Sequence, residues 1–150
     1  MNAPQFEVAK EFRFEAAHSL PHLPEGHKCR RPHGHSYKVA VVCRGPLDER
    51  GFVVDYAEIA EAWKPLDEML DHRDLNEVFA ANRAGATTAE NLAAFIYPRL
   101  ARKLPTLYRI EVYETATTVV RYPVYPNEVA KEFRFEAAHR RKSTGRCGSP

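Results

Sequence analysis

The residues best suited to chemistry are three histidines. His33 and His35 flank one glycine at the start of HGHSYKVAVVCRG, where the odd positions His33, His35, Tyr37, Val39, Val41 and Cys43 form one face of a strand. Side chains two apart on a strand point to the same side, so both imidazoles project together. His18 ends FRFEAAH on the parity of Phe12, Phe14 and Ala16, the inward side of a half-buried strand. An antiparallel neighbour can bring it beside the pair. Three imidazoles without a fourth protein ligand are the donor set of a catalytic zinc site with one position open. A structural zinc site is disfavoured, since it usually takes four protein ligands, often cysteines. The plain alternative is that H-G-H is only a polar strand entrance.

Other candidates surround this trio. Cys29 lies four residues before His33, among Lys28, Arg30 and Arg31, a cationic setting of the kind that favours thiolate over thiol. It reads equally as an inconsequential surface cysteine. Cys43 falls on the inward parity among valines and reads as packing; Cys147 belongs to the C-terminal stretch. Asp71 precedes His72 directly, and a carboxylate beside an imidazole can orient the ring for acid/base work, although Asp-His pairs are also common at helix ends. Glu114 shares the parity of Ile110 and Val112, and a buried carboxylate needs a partner. A ligand presenting a planar N–H/NH2 pair would serve, as would Arg109 or Arg121.

The elements that must position these groups follow from periodicity. The strand ending at His18 and the strand from His33 are joined by the proline-rich loop SLPHLPEGHKCRRP, and P-L-D-E-R-G reads as a hairpin connection into F-V-V-D. Asp55 caps the helix YAEIAEAWKPLDEML with Glu58 as its reciprocal partner. Ile59, Ala62, Trp63, Leu66 and Leu70 make its apolar stripe, and Pro65 should bend it or interrupt its hydrogen bonds. A loop carrying D-H-R-D-L-N leads to a second helix, with Thr87 as cap, Glu90 as partner and Leu92, Phe95, Ile96 and Leu100 as buried stripe. YRIEVYETATTVVRYPV gives a final strand pair. Strands, helix, helix, strands define an α+β fold: an antiparallel four-stranded sheet with two helices packed on one face. No glycine-rich phosphate loop occurs.

Composition sets the outer limits. At 150 residues, 44% apolar and 28% charged, the chain reads as one soluble globular domain. A net charge of +2 gives no case for nucleic acid, and no apolar run has membrane-spanning length. Three scattered cysteines and an N-terminus without a signal-like layout point to a reducing cytoplasm. EVAKEFRFEAAH occurs twice, ending at His18 and again at His139. Residues 1–126 read as the domain and 127–150 as an appended tail duplicating the first strand. His139 is followed by RRKSTGRCGSP, which offers no co-ligand, so it is not expected to bind metal. The copy nevertheless carries the strand pattern of the original and could pair with a sheet edge or replace its twin in another subunit.

Jointly, FEAAH, PHLPEGHKCRRPHGHSY, GFVVDYAEI, LDHRDLN, TTAENLA and IEVYET resemble the 6-pyruvoyl-tetrahydropterin synthase / 6-carboxytetrahydropterin synthase family, in family order over Phe12 to Tyr122. The resemblance implies a tunnelling-fold subunit, and homo-oligomers, commonly hexamers, with active sites at subunit interfaces. It implies Zn2+ on His18, His33 and His35, Cys29 as base, and Asp71 with His72 as the pair completing proton transfer. It also implies Glu114 anchoring the pterin ring of a pterin triphosphate substrate, with Thr87 and Thr88 lining that pocket. The short C-x-x-x-H-G-H spacing is similar to the bacterial queuosine-pathway branch, which forms 6-carboxytetrahydropterin. The pyruvoyl-forming branch and a non-catalytic pterin- or zinc-binding protein are the alternatives.

Overall fold

The computed structural model describes residues 3–126; the tail reading for 127–150, with Cys147 and His139, lies outside the described residues. Two thirteen-residue strands form the frame: β1 (Phe6–His18) and β2 (His33–Gly45), linked by a loop holding a short 3-10 turn (Lys28–Arg30). Then come α1 (Tyr56–Leu70), β3 (Arg73–Asp74), α2 (Leu75–Asn82), α3 (Ala89–Ala101), β4 (Leu107–Tyr113) and β5 (Val120–Tyr122). The sheet order is β3-β1-β2-β4-β5.

The architecture is α+β, with two corrections to the four-strand, two-helix expectation. The sheet is mixed and five-stranded, because β3 adds to β1 in parallel at Ala16 and Ala17. A third helix, α2, occupies the stretch read as a loop, with the Asp74 side chain accepting from Asn76 N–H as its cap. The F-V-V-D segment is not a strand; it crosses the core irregularly with Val53 and Val54 buried. Asp55 caps α1 by accepting from Ala57 N–H, but Glu58 turns to Arg50 rather than back to the cap. The cap of α3 is Thr88, not Thr87, and it accepts from Asn91 N–H. Pro65 and Pro98 sit inside unbroken helices on exposed sides, where a lost backbone bond is solvated.

The sheet has two different faces. Phe14, Tyr37, Val39, Val41, Ile110 and Val112 join the apolar stripes of the helices in one buried cluster. Phe14 stacks on Tyr37 at 5.0 Å between ring centroids, and Phe12 on Trp63 at 4.8 Å. On the opposite face Ala40 and Val42 are buried beneath longer charged side chains. There Glu111 accepts from Arg109 (2.8 Å), Arg121 (3.3 Å) and Tyr113 Oη (3.0 Å), while Arg109 also reaches Glu7 at 2.6 Å. Burial alone would raise the Glu111 carboxyl, but those donors and the Arg109 and Arg121 charges bring it below the ordinary glutamate value.

Phe14 is 2% exposed and Phe12 only half-buried. Phe14→Ala should cost about 3–5 kcal/mol, as for other buried aromatics, and Phe12→Ala distinctly less. Equilibrium urea unfolding checks the order; equal losses would contradict it.

Candidate metal and active site

The β1–β2 register places His18 directly opposite His33 and Ala16 opposite His35. Since all three rings leave the helix-facing side, the pleat gathers them. His18 meets His33 at 4.5 Å and His35 at 5.0 Å between centroids, with 4.9 Å between His33 and His35, all edge-on. One ring nitrogen from each lies within 4.8 Å of the others.

Backbone carbonyls select which nitrogens these are. His18 Nδ1–H donates to Thr87 O at 2.8 Å, and His33 Nδ1–H to Arg31 O at 2.7 Å. Both rings are thus held in the tautomer whose Nε2 carries the lone pair, the outer-shell arrangement that metal-ligating histidines use. Nε2 of His18 and of His35 are buried without a hydrogen-bond partner. Burial, with lesser contributions from His18 and His33, keeps the His35 pKa below its ordinary value against the raising effect of Glu114. A neutral imidazole keeps its lone pair for a cation, so this donor set fits a zinc-like ion with a position left open.

Two supports hold the strand end. Asn76 grips Ser19 on both sides, accepting from Ser19 N–H at 2.8 Å and donating to Ser19 O at 2.9 Å. Thr87 is buried with its hydroxyl directed to Ser19 O at 3.2 Å. Thr87 therefore steadies His18, and Thr88 is spent as a helix cap. Asn76 was not singled out from sequence; its place at the end of LDHRDLN was the available signal. From sequence Tyr37 is placed only on the strand face it shares with His33 and His35. Its hydroxyl is buried without a partner and its ring lies 5.5 Å from His35. Burial, then the Glu114 charge, pushes the phenol pKa well up, so it stays protonated.

Cys29 sits in the 3-10 turn, half-buried, where its N–H donates to His27 Nδ1 and its carbonyl accepts from Leu20 N–H. With Lys28, His33 and His35 it lines one cavity of about 310 Å³. Glu114, just beyond β4, reaches His18 Nε2 at 3.5 Å and His35 Nε2 at 3.8 Å through Oε1. The arginines considered for it, Arg109 and Arg121, serve Glu111 instead.

Asp71 and His72 are pinned elsewhere, at the outer edge of β1. Asp71 Oδ1 accepts from Glu15 N–H at 2.9 Å and Oδ2 meets His72 Nδ1 at 3.0 Å, while His72 N–H donates to Glu15 O. His72 takes a left-handed backbone (φ 56°) and is 79% exposed in its side chain. No described contact joins this pair to Cys29 or the three histidines.

Fold and site together define a small α+β protein with a three-imidazole, metal-type centre beside a cysteine. The chain belongs to the 6-pyruvoyl tetrahydropterin synthase family, whose model matches residues 7–124. A 6-carboxy-5,6,7,8-tetrahydropterin synthase of Synechocystis sp. is 39% identical over 122 residues, covering 77% of this chain and 91% of the relative. The human 6-pyruvoyl tetrahydrobiopterin synthase is 32% identical over 132 residues, covering 79% and 91%. The Caenorhabditis elegans 6-pyruvoyl tetrahydropterin synthase structure superposes with a TM-score of 0.74 at 25% identity, over 83% of this chain and 99% of that one.

Two outcomes are expected. His18→Ala, His33→Ala and His35→Ala should each weaken zinc binding by more than the roughly 10–100-fold that loss of an outer-shell partner costs, read by competition with a chromophoric chelator. Hydrogen bonding from Glu15 N–H, then from His72, holds the Asp71 carboxyl below its ordinary value. Its stabilising contribution is therefore present above the unfolded aspartate value, about 3.9, and is lost as pH falls through the lower folded one. Asp71→Asn should flatten the decline of the urea midpoint below about pH 4; an unchanged slope would contradict the assignment.

Proposed function

We propose that this chain is a zinc-dependent 6-carboxytetrahydropterin synthase, converting 7,8-dihydroneopterin triphosphate to 6-carboxytetrahydropterin with release of acetaldehyde and triphosphate. The observation that carries the reading is Cys29 lining one cavity with His33 and His35 at the C-x-x-x-H-G-H spacing. The 39% identity to a named 6-carboxytetrahydropterin synthase supports this product over the pyruvoyl one.

His18, His33 and His35 would hold the ion through their Nε2 atoms. The chemistry a divalent ion supplies when bound is Lewis acidity toward the hydroxyls of the substrate side chain. Around it, this chain's own groups bind and move protons. Glu114 is an acceptor-only carboxylate suited to the parallel N–H/NH2 edge of a pterin ring. The Cys29 thiol can exchange a proton with substrate carbon or oxygen in its cavity. Asp71 accepts from His72 Nδ1–H and so leaves His72 Nε2 as the second proton-exchanging atom.

The lack of any described contact between His72 and the cluster within one chain supports a homo-oligomer whose sites are shared between subunits. Among the described residues no strand pairs with the outer edge of β1 over residues 6–14, and β5 lies at the other edge of the sheet. Both are suited to pairing between copies, and a hexamer follows by analogy with the family.

Zinc-loaded protein incubated with dihydroneopterin triphosphate should yield 6-carboxytetrahydropterin and acetaldehyde by mass spectrometry. The pyruvoyl product alone would assign the chain to the other branch, and no turnover would leave a binding protein. Cys29→Ala should lower kcat by roughly 10²–10⁴-fold with zinc content retained; unchanged turnover would remove Cys29 from the mechanism.

A further inference from the structure

The second large cavity, about 530 Å³, opens where β2 outruns β4. β4 pairs with β2 only from Lys38 to Cys43, so the β2 edge over residues 33–37 has no β4 partner. That notch joins the two faces of the sheet. His35 and Glu114 line the cavity from the site side, and Arg13 and Lys38 line it from the other face. The volume suits a small-molecule site, typically about 300–1,000 Å³.

Arg13 and Lys38 are direct cross-strand partners. Like charges in that position destabilise a sheet unless something compensates them. The nearby carboxylates are occupied: Glu11 reaches Lys38 at 3.8 Å, Glu15 accepts from Ser36 Oγ at 2.7 Å, and Glu114 leans on His18 and His35. Among the described residues no carboxylate pairs with the Arg13 guanidinium. Lys38 is held in place over the Tyr113 ring, 4.1 Å from its centroid. The result is a fixed ammonium beside an uncompensated guanidinium, the fork that matches phosphate oxygens.

We propose that Arg13 and Lys38 form a polyphosphate subsite, reached through the notch from the metal-type centre. For ligand identity this rests on the reading given under Proposed function. A ligand whose ring sits at Glu114 and whose side chain lies at His35 would run its terminal phosphates through the notch to these two cations. The subsite would hold the leaving triphosphate in place and discriminate against dephosphorylated pterins.

The test uses full-length zinc-loaded protein and inorganic tripolyphosphate, titrated calorimetrically. Wild type should bind it, Arg13→Gln and Lys38→Gln should each bind at least fivefold more weakly, and the double variant should show no binding. Arg102→Gln, which removes a cation on the helix side, should bind like wild type. Unchanged zinc content and circular dichroism establish that the variants are folded. Equal binding by wild type and the double variant, no binding by wild type, or an equal loss in Arg102→Gln would each overturn the subsite. Loss of tripolyphosphate binding in Arg13→Gln and Lys38→Gln in a protein that does not turn over dihydroneopterin triphosphate would uphold the subsite and refute the proposed reaction. With turnover, the same variants should raise KM for the triphosphate substrate and leave the affinity for neopterin unchanged.

Discussion

The site depends on one constraint, the register of β1 against β2. Thirteen consecutive residue pairs run from Phe6 opposite Gly45 to His18 opposite His33. Because side chains alternate with period two, a slip of one residue would send His18 to the charged face and His33 and His35 away from it. The same slip would remove Phe14 from Tyr37 and Phe12 from Trp63. The hydrophobic pattern that builds the core thus also aims the three imidazoles. The candidate site occupies the last residues of this pairing.

Parity arguments recover this part of the molecule from sequence because it is local and strongly periodic. Phe12, Phe14, Ala16 and His18 do face inward, as do Tyr37, Val39, Val41 and Cys43, and the stripe of α1 is buried as its spacing requires. What sequence left hidden depends on tertiary partners. β3 is two residues long and exists because His72 and Asp71 bond to the Glu15 backbone. α2 buries only Leu75 and Phe79, too few points for a helical period to stand out. The acid locked among arginines is Glu111 on the opposite parity, a choice made by cross-strand neighbours that no single-strand reading can see. Thr87 and Thr88 are adjacent and chemically alike, so only the backbone shows which one caps the helix and which one steadies His18.

The two faces of the sheet divide the labour. The helix face excludes water and lowers the ionisation tendency of His35, which keeps imidazole lone pairs available. The other face keeps its charges hydrated or paired, so Glu111 can remain ionised although it is nearly buried. Because β4 stops short at Tyr113, the boundary between these environments is open just where Glu114 and His35 lie. A ligand with a flat ring and an anionic tail would match that boundary in a way that neither face alone would.

The outer-shell acceptors for His18 and His33 are main-chain carbonyls, Thr87 O and Arg31 O. No side-chain substitution deletes them, so the ring tautomers depend on where two loops lie. Those loops are in turn fastened by few groups. Asn76 and the Thr87 hydroxyl hold Ser19, and Arg30 Nη1 donates to Pro21 O and Leu23 O across the loop carrying Cys29. Converging Nε2 lone pairs beside the Glu114 carboxylate repel one another unless a cation compensates them. An ion that binds this arrangement and not the unfolded chain adds its binding free energy to folding. The ribbon end, held by only two residues of β3 on one side and none of β4 on the other, is where that contribution matters most. Were an ion to bind here, its affinity and the local stability of these two loops would be one coupled equilibrium.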